Sequence, residues 1–157
     1  SKKNNLEIIN SSIEEYLKFS RKFDLIILAD VLEHLENDKE ILFKLYKILN
    51  SKGRIIIFTP ACQYLYSEFD SEIGHFRRYS FETLRNIIPN NSRILMMKYI
   101  DSFGFFASLS NKLIIKSASP TLKQILFWDR LIIPISKKLD YFLSYKFGKN
   151  IFMILSK

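Results

Sequence analysis

Phe23-Asp24-Leu25-Ile26-Ile27-Leu28-Ala29-Asp30-Val31-Leu32-Glu33-His34 decides the fold. The first half is a short, nearly continuous apolar run, the pattern of a strand buried on both faces of a parallel sheet. The second half turns abruptly to Asp, Glu and His. Ligands of open α/β sheets bind outside the carboxyl ends of the strands, so this polar cluster stands where a site is expected.

The segments on either side extend the same pattern. Asn37 with Glu40 three residues on reads as a helix start. Ile41, Leu42, Leu45, Ile48 and Leu49 then recur at helical spacing. Asn50-Ser51-Lys52-Gly53 ends that helix, with Gly53 expected to supply a left-handed turn. Arg54–Thr59 is a second buried strand, stopped by Pro60. Strand, helix and strand with short connections make a βαβ unit, the building block of a parallel sheet. Upstream, Leu6–Ile9 reads as a short strand. Ser11 and Ser12, each with a Glu three residues later, open a helix through Leu17. Downstream, Ser80 caps a helix through Ile88, Arg93–Tyr99 reads as a strand and residues 103–118 as helical. Thr121–Lys146 reads as one or two amphipathic helices broken near Pro134, and Ile151–Leu155 as a final strand. No internal repeat or low-complexity linker interrupts the chain.

At 157 residues the length suits about one domain. Its 48% hydrophobic content excludes a disordered chain. The charge is uneven. Residues 1–102 hold 15 Lys and Arg against 14 Asp and Glu, and residues 103–157 hold 9 against 2, so the basic excess lies in the last third. That third also carries Phe103, Phe105, Phe106, Phe127, Trp128, Tyr141, Phe142 and Tyr145. Basic and aromatic together suit an anionic substrate, a membrane surface or nucleic acid; a solvated lysine face on amphipathic helices is the plainer reading. Cys62 is the only cysteine, which excludes an intrachain disulfide framework and suits a reducing cytoplasm. No apolar run approaches the ~18 residues of a membrane span, and no cleavable signal pattern opens the chain. A start at Ser1 reads as part of a longer protein.

Two clusters can carry chemistry. Asp30, Glu33 and His34 follow one strand; Thr59, Pro60, Ala61 and Cys62 follow the next, and parallel neighbours would open both loops on one edge. The second cluster, Asp70-Ser71-Glu72-Ile73-Gly74-His75-Phe76-Arg77-Arg78-Tyr79, lies in a long span read as free of secondary structure, the kind of segment that forms lids and binding loops. Arg77 or Arg78 is expected to tie this loop down while His75 faces the site. Glu33-His34 alone is no metal motif, since zinc takes three or four ligands and the chain offers two histidines and one cysteine. A nucleophilic Cys62 with a histidine base is conceivable, but nothing nearby suggests a lowered thiol pKa. The glycines are Gly53, Gly74, Gly104 and Gly148, so a glycine-rich phosphate cradle is absent.

FDLIILADVLEHLEN, LYKILNSKGRIIIFTPA and DSEIGHFRRYSFETL together resemble class I S-adenosylmethionine-dependent methyltransferases, most strongly over residues 23–88. KFGKNIFMILSK is similar to that fold's last strand. The resemblance implies a Rossmann-like α/β sheet, mostly parallel with an antiparallel final strand. The family's first two strands, with their acidic-Gly-x-Gly-x-Gly loop, have no counterpart here. The match begins at Leu6–Ile9 as the third strand. Residues 1–157 are read as one partial domain, with core elements over 1–102, a basic aromatic helical insertion over 103–148 and the final strand over 149–157. By position, Ser12 and Ile13 would lie beside the adenine of S-adenosylmethionine. Asp30 and Val31 would line its methionine and sulfonium region. His34 would stand near the transferred methyl, while His75, Tyr79 and Cys62 would face the acceptor. The implied acceptor is a small molecule, lipid or glycan, with no nucleic acid expected. Without the missing strands this stretch is expected to bind cofactor weakly and to be inactive alone. The alternative is a non-catalytic remnant of the fold that serves as an interaction module. A further alternative is a module at the membrane surface: Lys137, Lys138 and Lys146 would contact headgroups, and Leu131, Ile132, Ile135 and Leu139 would face lipid, within residues 127–146. Packing of those apolar residues on the sheet is the competing and preferred expectation.

Overall fold

The computed structural model describes residues 7–17, 21–110 and 122–157. Among these, β1 (Phe23–Ala29), β2 (Leu49–Pro60), β3 (Arg93–Ile100) and β4 (Asn150–Ser156) form a sheet in the order β1-β2-β4-β3. β1 and β2 are parallel neighbours with Ile27 opposite Ile56. β4 runs antiparallel to both β2 and β3. β1, β2 and β3 therefore point the same way, and their carboxyl ends share one edge. This is the α/β class expected, mostly parallel with an antiparallel final strand. Pro60 and Ile100 both pair with Asn150, so β2 and β3 end level with each other.

Just past each of these ends the chain takes a left-handed residue: Asp30 (φ 50°) after β1, Cys62 (φ 67°) after β2 and Asp101 (φ 63°) after β3. Such residues are uncommon without glycine, and Asp tolerates the conformation best. Each turns the chain sharply off its strand, which gathers three loops at the edge.

The core lies on one side of the sheet. α2 (Asp38–Lys47) packs Ile41, Leu42 and Leu45 into the cluster that holds Ile55 and Ile57 of β2, Met153 of β4 and Leu84 of α4 (Phe81–Ile87). Alternation sends successive strand side chains to opposite faces. Leu28 of β1 is therefore buried, while Leu25 and Ile27 are 48% and 60% exposed. β1 is thus covered on one face rather than both. The last carbonyls of α2 and the first of β2 are satisfied by Lys157, whose ammonium donates to Tyr46 O, Lys47 O and Leu49 O at 3.2, 3.3 and 2.9 Å.

Several sequence expectations are corrected. Residues 7–10 form neither strand nor helix, and Leu6 lies outside the described residues. The chain then enters α1 (Ile13–Tyr16), where Ser12 and Glu15 form the reciprocal capping pair. Helix α2 stops at Lys47, so Leu49 and Gly53 belong to β2 and Gly53 makes no left-handed turn. A side chain there would meet Asn50 O and Leu49 Cδ2 at 3.0 Å; close packing, beside the register shift between Phe23 and Leu25, is what glycine serves. Asn37 occupies the cap position of α2 without a side-chain hydrogen bond. The span after Pro60 is not free of structure: it contains a 3-10 turn (Gln63–Leu65) and α3 (Glu68–Glu72).

Helices α5 (Ser102–Ser110), α6 (Leu122–Phe127) and α7 (Ile133–Phe142) lie between β3 and β4 in the chain. Residues 111–118 of the expected 103–118 helix lie outside the described residues. The chain does not break near Pro134: it stays helical and widens into a π-helical stretch, Trp128–Ile132, that leads directly into α7, with Pro134 in the first turn of α7. Buried Asp140 anchors α7 to the end of β3 by accepting from the backbone N–H of Asp101 and Ser102 at 2.8 and 2.7 Å.

Candidate functional site

Left-handed Asp30 leads directly into a 3-10 turn, Leu32–His34. The Gly74–Tyr79 stretch is stitched onto that turn. Phe76 N donates to Glu33 O at 2.8 Å, and the Arg77 guanidinium donates to Glu36 O at 3.1 Å and pairs with Asp38 at 2.7 Å. The Tyr79 hydroxyl donates to Asp38 Oδ2 at 2.7 Å and lies 3.1 Å from Leu32 O. Tyr79 also joins the loop after β2: its N–H donates to Pro60 O at 2.9 Å and its carbonyl accepts from Cys62 N at 2.8 Å. One segment thus locks together the loops that leave β1 and β2.

A polar core lies between these loops. Glu33 is fully buried. Its Oε2 accepts from Thr59 Oγ1 at 3.0 Å, while Oε1 has no hydrogen-bond partner. His75 Nε2 stands 3.9 Å from Oε1. His75 Nδ1 lies 2.9 Å from Asp70 Oδ1, and Asp70 is held from behind by Arg78 Nε and Nη2 at 2.9 and 3.0 Å and by Ser67 N at 2.9 Å. The His34 ring meets the His75 ring edge-on at 4.6 Å, with its Nδ1 3.2 Å from Gly74 O. Gly74 has φ +83°, and that left-handed turn presents its carbonyl to the imidazole.

The two acids are driven apart. Burial raises the Glu33 carboxyl above the ordinary range, against the hydrogen bond from Thr59. Burial would also raise Asp70, but the hydrogen bonds from Arg78 and His75 outweigh it and hold Asp70 below that range. Burial, then the nearby Arg78, depress the Lys149 ammonium. A pair of carboxyls separated in this way is a frequent property of sites that handle protons or cations.

Of the residues singled out from sequence, the structure brings His34 and His75 together and sets Asp30, solvent-exposed, at the start of the same turn. Val31 is half-buried against the core. Cys62 lies just past the end of β2, its thiol 3.8 Å from Gly148 O. Tyr79 is 2% exposed, with its hydroxyl occupied by Asp38 and Leu32 O. Ser12 and Ile13 lie in the α1 region, where they line a shallow cleft of about 360 Å³ with Glu7, Ile9, Ser11 and Tyr16; the Ser12 hydroxyl accepts from Glu15 N at 3.1 Å. The expectation that Arg77 or Arg78 ties the loop down matches the contacts of both, Arg77 with Asp38 and Arg78 with Asp70. Sequence reasoning did not single out Asp70 as the partner of His75, Glu33 as the buried acid facing it, or Lys149. Glu33 and Asp70 stood in the two quoted stretches, yet nothing in a linear pattern marks an acid as buried. Lys149 had no signal at all.

Residues 1–57 match a family model described as a methyltransferase domain. No curated protein matches the chain. Among solved structures, a SAM dependent methyltransferase from Archaeoglobus fulgidus superposes with a TM-score of 0.55 at 21% identity, covering 99% of this chain and 70% of that one. Two structures of phosphoethanolamine N-methyltransferase 2 from Haemonchus contortus, one with S-adenosyl-L-methionine and one with phosphomonomethylethanolamine and S-adenosylhomocysteine, align at 15% and 13% identity. Each covers 86% of this chain and 33% of the other, with TM-scores of 0.46 and 0.48, too low to carry an argument. The archaeal likeness shows a shared fold. With the family match, it agrees with the resemblance read from the sequence.

Proposed function

We propose that this chain, with its class I S-adenosylmethionine-dependent methyltransferase fold and its methyltransferase-domain match, takes part in methyl transfer from S-adenosylmethionine to a small-molecule, lipid or glycan acceptor. The observation that carries the reading is the parallel pairing of β1 with β2, which puts Asp30–His34 and Ala61–Cys62 at one edge under the His75 segment. Asp30, an exposed carboxylate at a strand end, suits the cationic methionine end of the donor. Val31 adds an apolar wall, and Ser12 and Ile13 form the adenine side. The acidic-Gly-x-Gly-x-Gly loop that the resemblance implies for the methionine moiety is not among the chain's four glycines; the residues present fit part of the donor. The sulfonium supplies an activated methyl group. What the chain contributes is alignment of the acceptor and exclusion of water. His34 and His75 face the acceptor, with Cys62 at the rim, and an imidazole takes the proton of a hydroxyl or ammonium acceptor. Tyr79, buried, ties the loops after β1 and β2 together through Leu32, Asp38, Pro60 and Cys62. Residues 1–157 act as one domain with a helical insertion before its last strand.

Asp30→Asn tests the donor assignment. Asn keeps the tolerance for left-handed backbone and removes the charge. Loss of a charged partner is worth about 1.5–3 kcal/mol, or roughly 10- to 100-fold in affinity for S-adenosylhomocysteine by calorimetry. Unchanged affinity would refute the role of Asp30.

A second reading has its own observation. Leu122, Phe127, Leu131, Ile135 and Phe142 on α6, α7 and the segment between them are all at least 45% exposed, beside exposed Lys137 and Lys138. Ile132 is buried and Leu139 half-buried, so two of the four residues expected to face lipid pack inward instead. No helix among the described residues is long and apolar enough to cross a membrane. A surface contact through α6 and α7 would bring the protein to a lipid acceptor or serve a non-catalytic role. Co-sedimentation with phosphatidylserine vesicles is expected at low salt and lost at about 0.5 M, where screening shortens electrostatic reach to a few ångströms. No binding at low salt removes this reading.

A further inference from the structure

The strongest unexplained feature is the unpartnered Glu33 oxygen. Among the described residues, Glu33 Oε1 is the one buried side-chain polar atom without a hydrogen-bond partner. It stands across a 3.9 Å gap from His75 Nε2, and one ligand atom each from Glu33, His34 and His75 lies within 4.8 Å of the others. His75 Nε2, at 3.9 Å from Oε1, is too distant to share a proton with it directly.

The outer partners are already those that metal-binding side chains need. The acceptor at His75 Nδ1 is the Asp70 carboxylate, and the acceptor at His34 Nδ1 is the Gly74 carbonyl. Each acceptor calls for an Nδ1–H donor, and in the tautomer of the neutral ring that supplies it Nε2 carries the lone pair. A ligating histidine characteristically donates its other N–H to a carboxylate or backbone carbonyl, fixing the tautomer and ring orientation. Asp70 is itself clamped by Arg78 and Ser67, and Thr59 occupies the other oxygen of Glu33, so that Oε1 alone is presented to the gap. Three donors from two loops are each oriented by a second residue.

We propose that Glu33 Oε1, His34 Nε2 and His75 Nε2 bind a divalent first-row transition ion, zinc being the best match to two imidazoles and one carboxylate. Three protein ligands leave at least one coordination position open. His34 is the exposed member, so the open position lies on its side of the cluster, available to water or to an oxygen of the acceptor. An imidazole that ligates the ion is not free to take a proton, so the ion and the imidazole base are alternative uses of the same nitrogens. Glu33 Oε1 and His75 Nε2, 3.9 Å apart, are slightly further from each other than a bound ion would hold them at ~2.1 Å each, so binding draws the donors together. Two histidines alone are too few for such a site, and the buried glutamate supplies the third ligand.

Cobalt(II) is the probe. Added to chelator-treated protein, it is expected to produce visible d–d absorption that saturates at one ion per chain and is abolished by stoichiometric zinc. His34→Ala, on the surface and outside the packed core, is expected to weaken cobalt binding at least ~10-fold, by analogy with loss of a supporting partner. Glu33→Gln keeps the volume and removes the anionic ligand; it is expected to do the same while circular dichroism stays unchanged. Featureless cobalt spectra in the wild type, or unchanged spectra in both variants, would overturn the site and leave the gap to water or a proton. The assignment does not rest on methyl transfer: cobalt binding without affinity for S-adenosylhomocysteine would remove the transfer reading alone, and the reverse result would remove the ion alone.

Discussion

Asp70→Ala is expected to lower folding stability by about 3–5 kcal/mol, read as a fall in the midpoint of urea unfolding at unchanged slope. Asp70 is fully buried and Arg78 is 8% exposed. The guanidinium meets both carboxylate oxygens, the geometry in which arginine pairs are strongest. Deleting the acid leaves a buried cation without its counter-ion and takes the partner from His75 Nδ1 and from Ser67 N. An exposed pair would cost no more than about 1 kcal/mol, so a loss below that value would show the cluster to be solvated. Asp70→Asn keeps one acceptor oxygen and should cost less than alanine, with the difference reporting the charge.

Gly148→Ala should be comparably severe for a purely steric reason. A Cβ at this position would stand 2.2 Å from Ile100 O, 2.6 Å from Ile100 C and 2.8 Å from Ile100 N. All three are backbone atoms at the end of β3, so no rotamer change relieves the overlap, and β3 must move away from the entry to β4. Forced overpacking costs about 1–3 kcal/mol, more where backbone is the obstacle; the upper end or beyond is expected, as a drop in Tm. Gly53→Ala is the internal comparison. Its closest contacts, at 3.0 Å, include a flexible leucine side chain, and a smaller loss is expected. Gly148→Ala should also disturb the site, because Lys149 O accepts from Ala61 N at 2.7 Å, directly after β2. A Tm equal to that of Gly53→Ala would contradict the packing described at this junction.

The βαβ unit could be read directly because its signals are local. An apolar run, an abrupt polar end and a helical recurrence through Leu45 each depend on neighbours a few residues away. The helix and strand boundaries around Gly53 were misjudged for the same reason. Glycine after a helical pattern looks like a left-handed stop, and only the approach of Leu49 and Asn50 shows why a side chain is excluded. Leu6–Ile9 has the composition of a strand, but a strand exists only through a partner, and residues 7–10 have none among the described residues. β1 shows the converse: its composition announced cover on both faces, while Leu25 and Ile27 remain exposed.

The site divides in the same way. His34 and His75 were recognisable as polar residues at the right edge and in the right loop. That their rings meet at 4.6 Å follows from hydrogen bonds spanning more than 40 positions, such as Phe76 N to Glu33 O and Tyr79 to Asp38. Tyr79 was expected to face the acceptor; its burial and its hydrogen bonds to Asp38 and Leu32 come from residues more than 40 positions away and have no local signal. Sequence alone determined the strand–helix–strand unit, the direction of its strands and the edge that carries the polar cluster, because covalent order and short-range sterics set those features. Only the tertiary structure decided which acid is buried, which histidine nitrogen is held and which oxygen is left without a partner. Burial and desolvation arise from residues distant in the chain, and no local pattern encodes them.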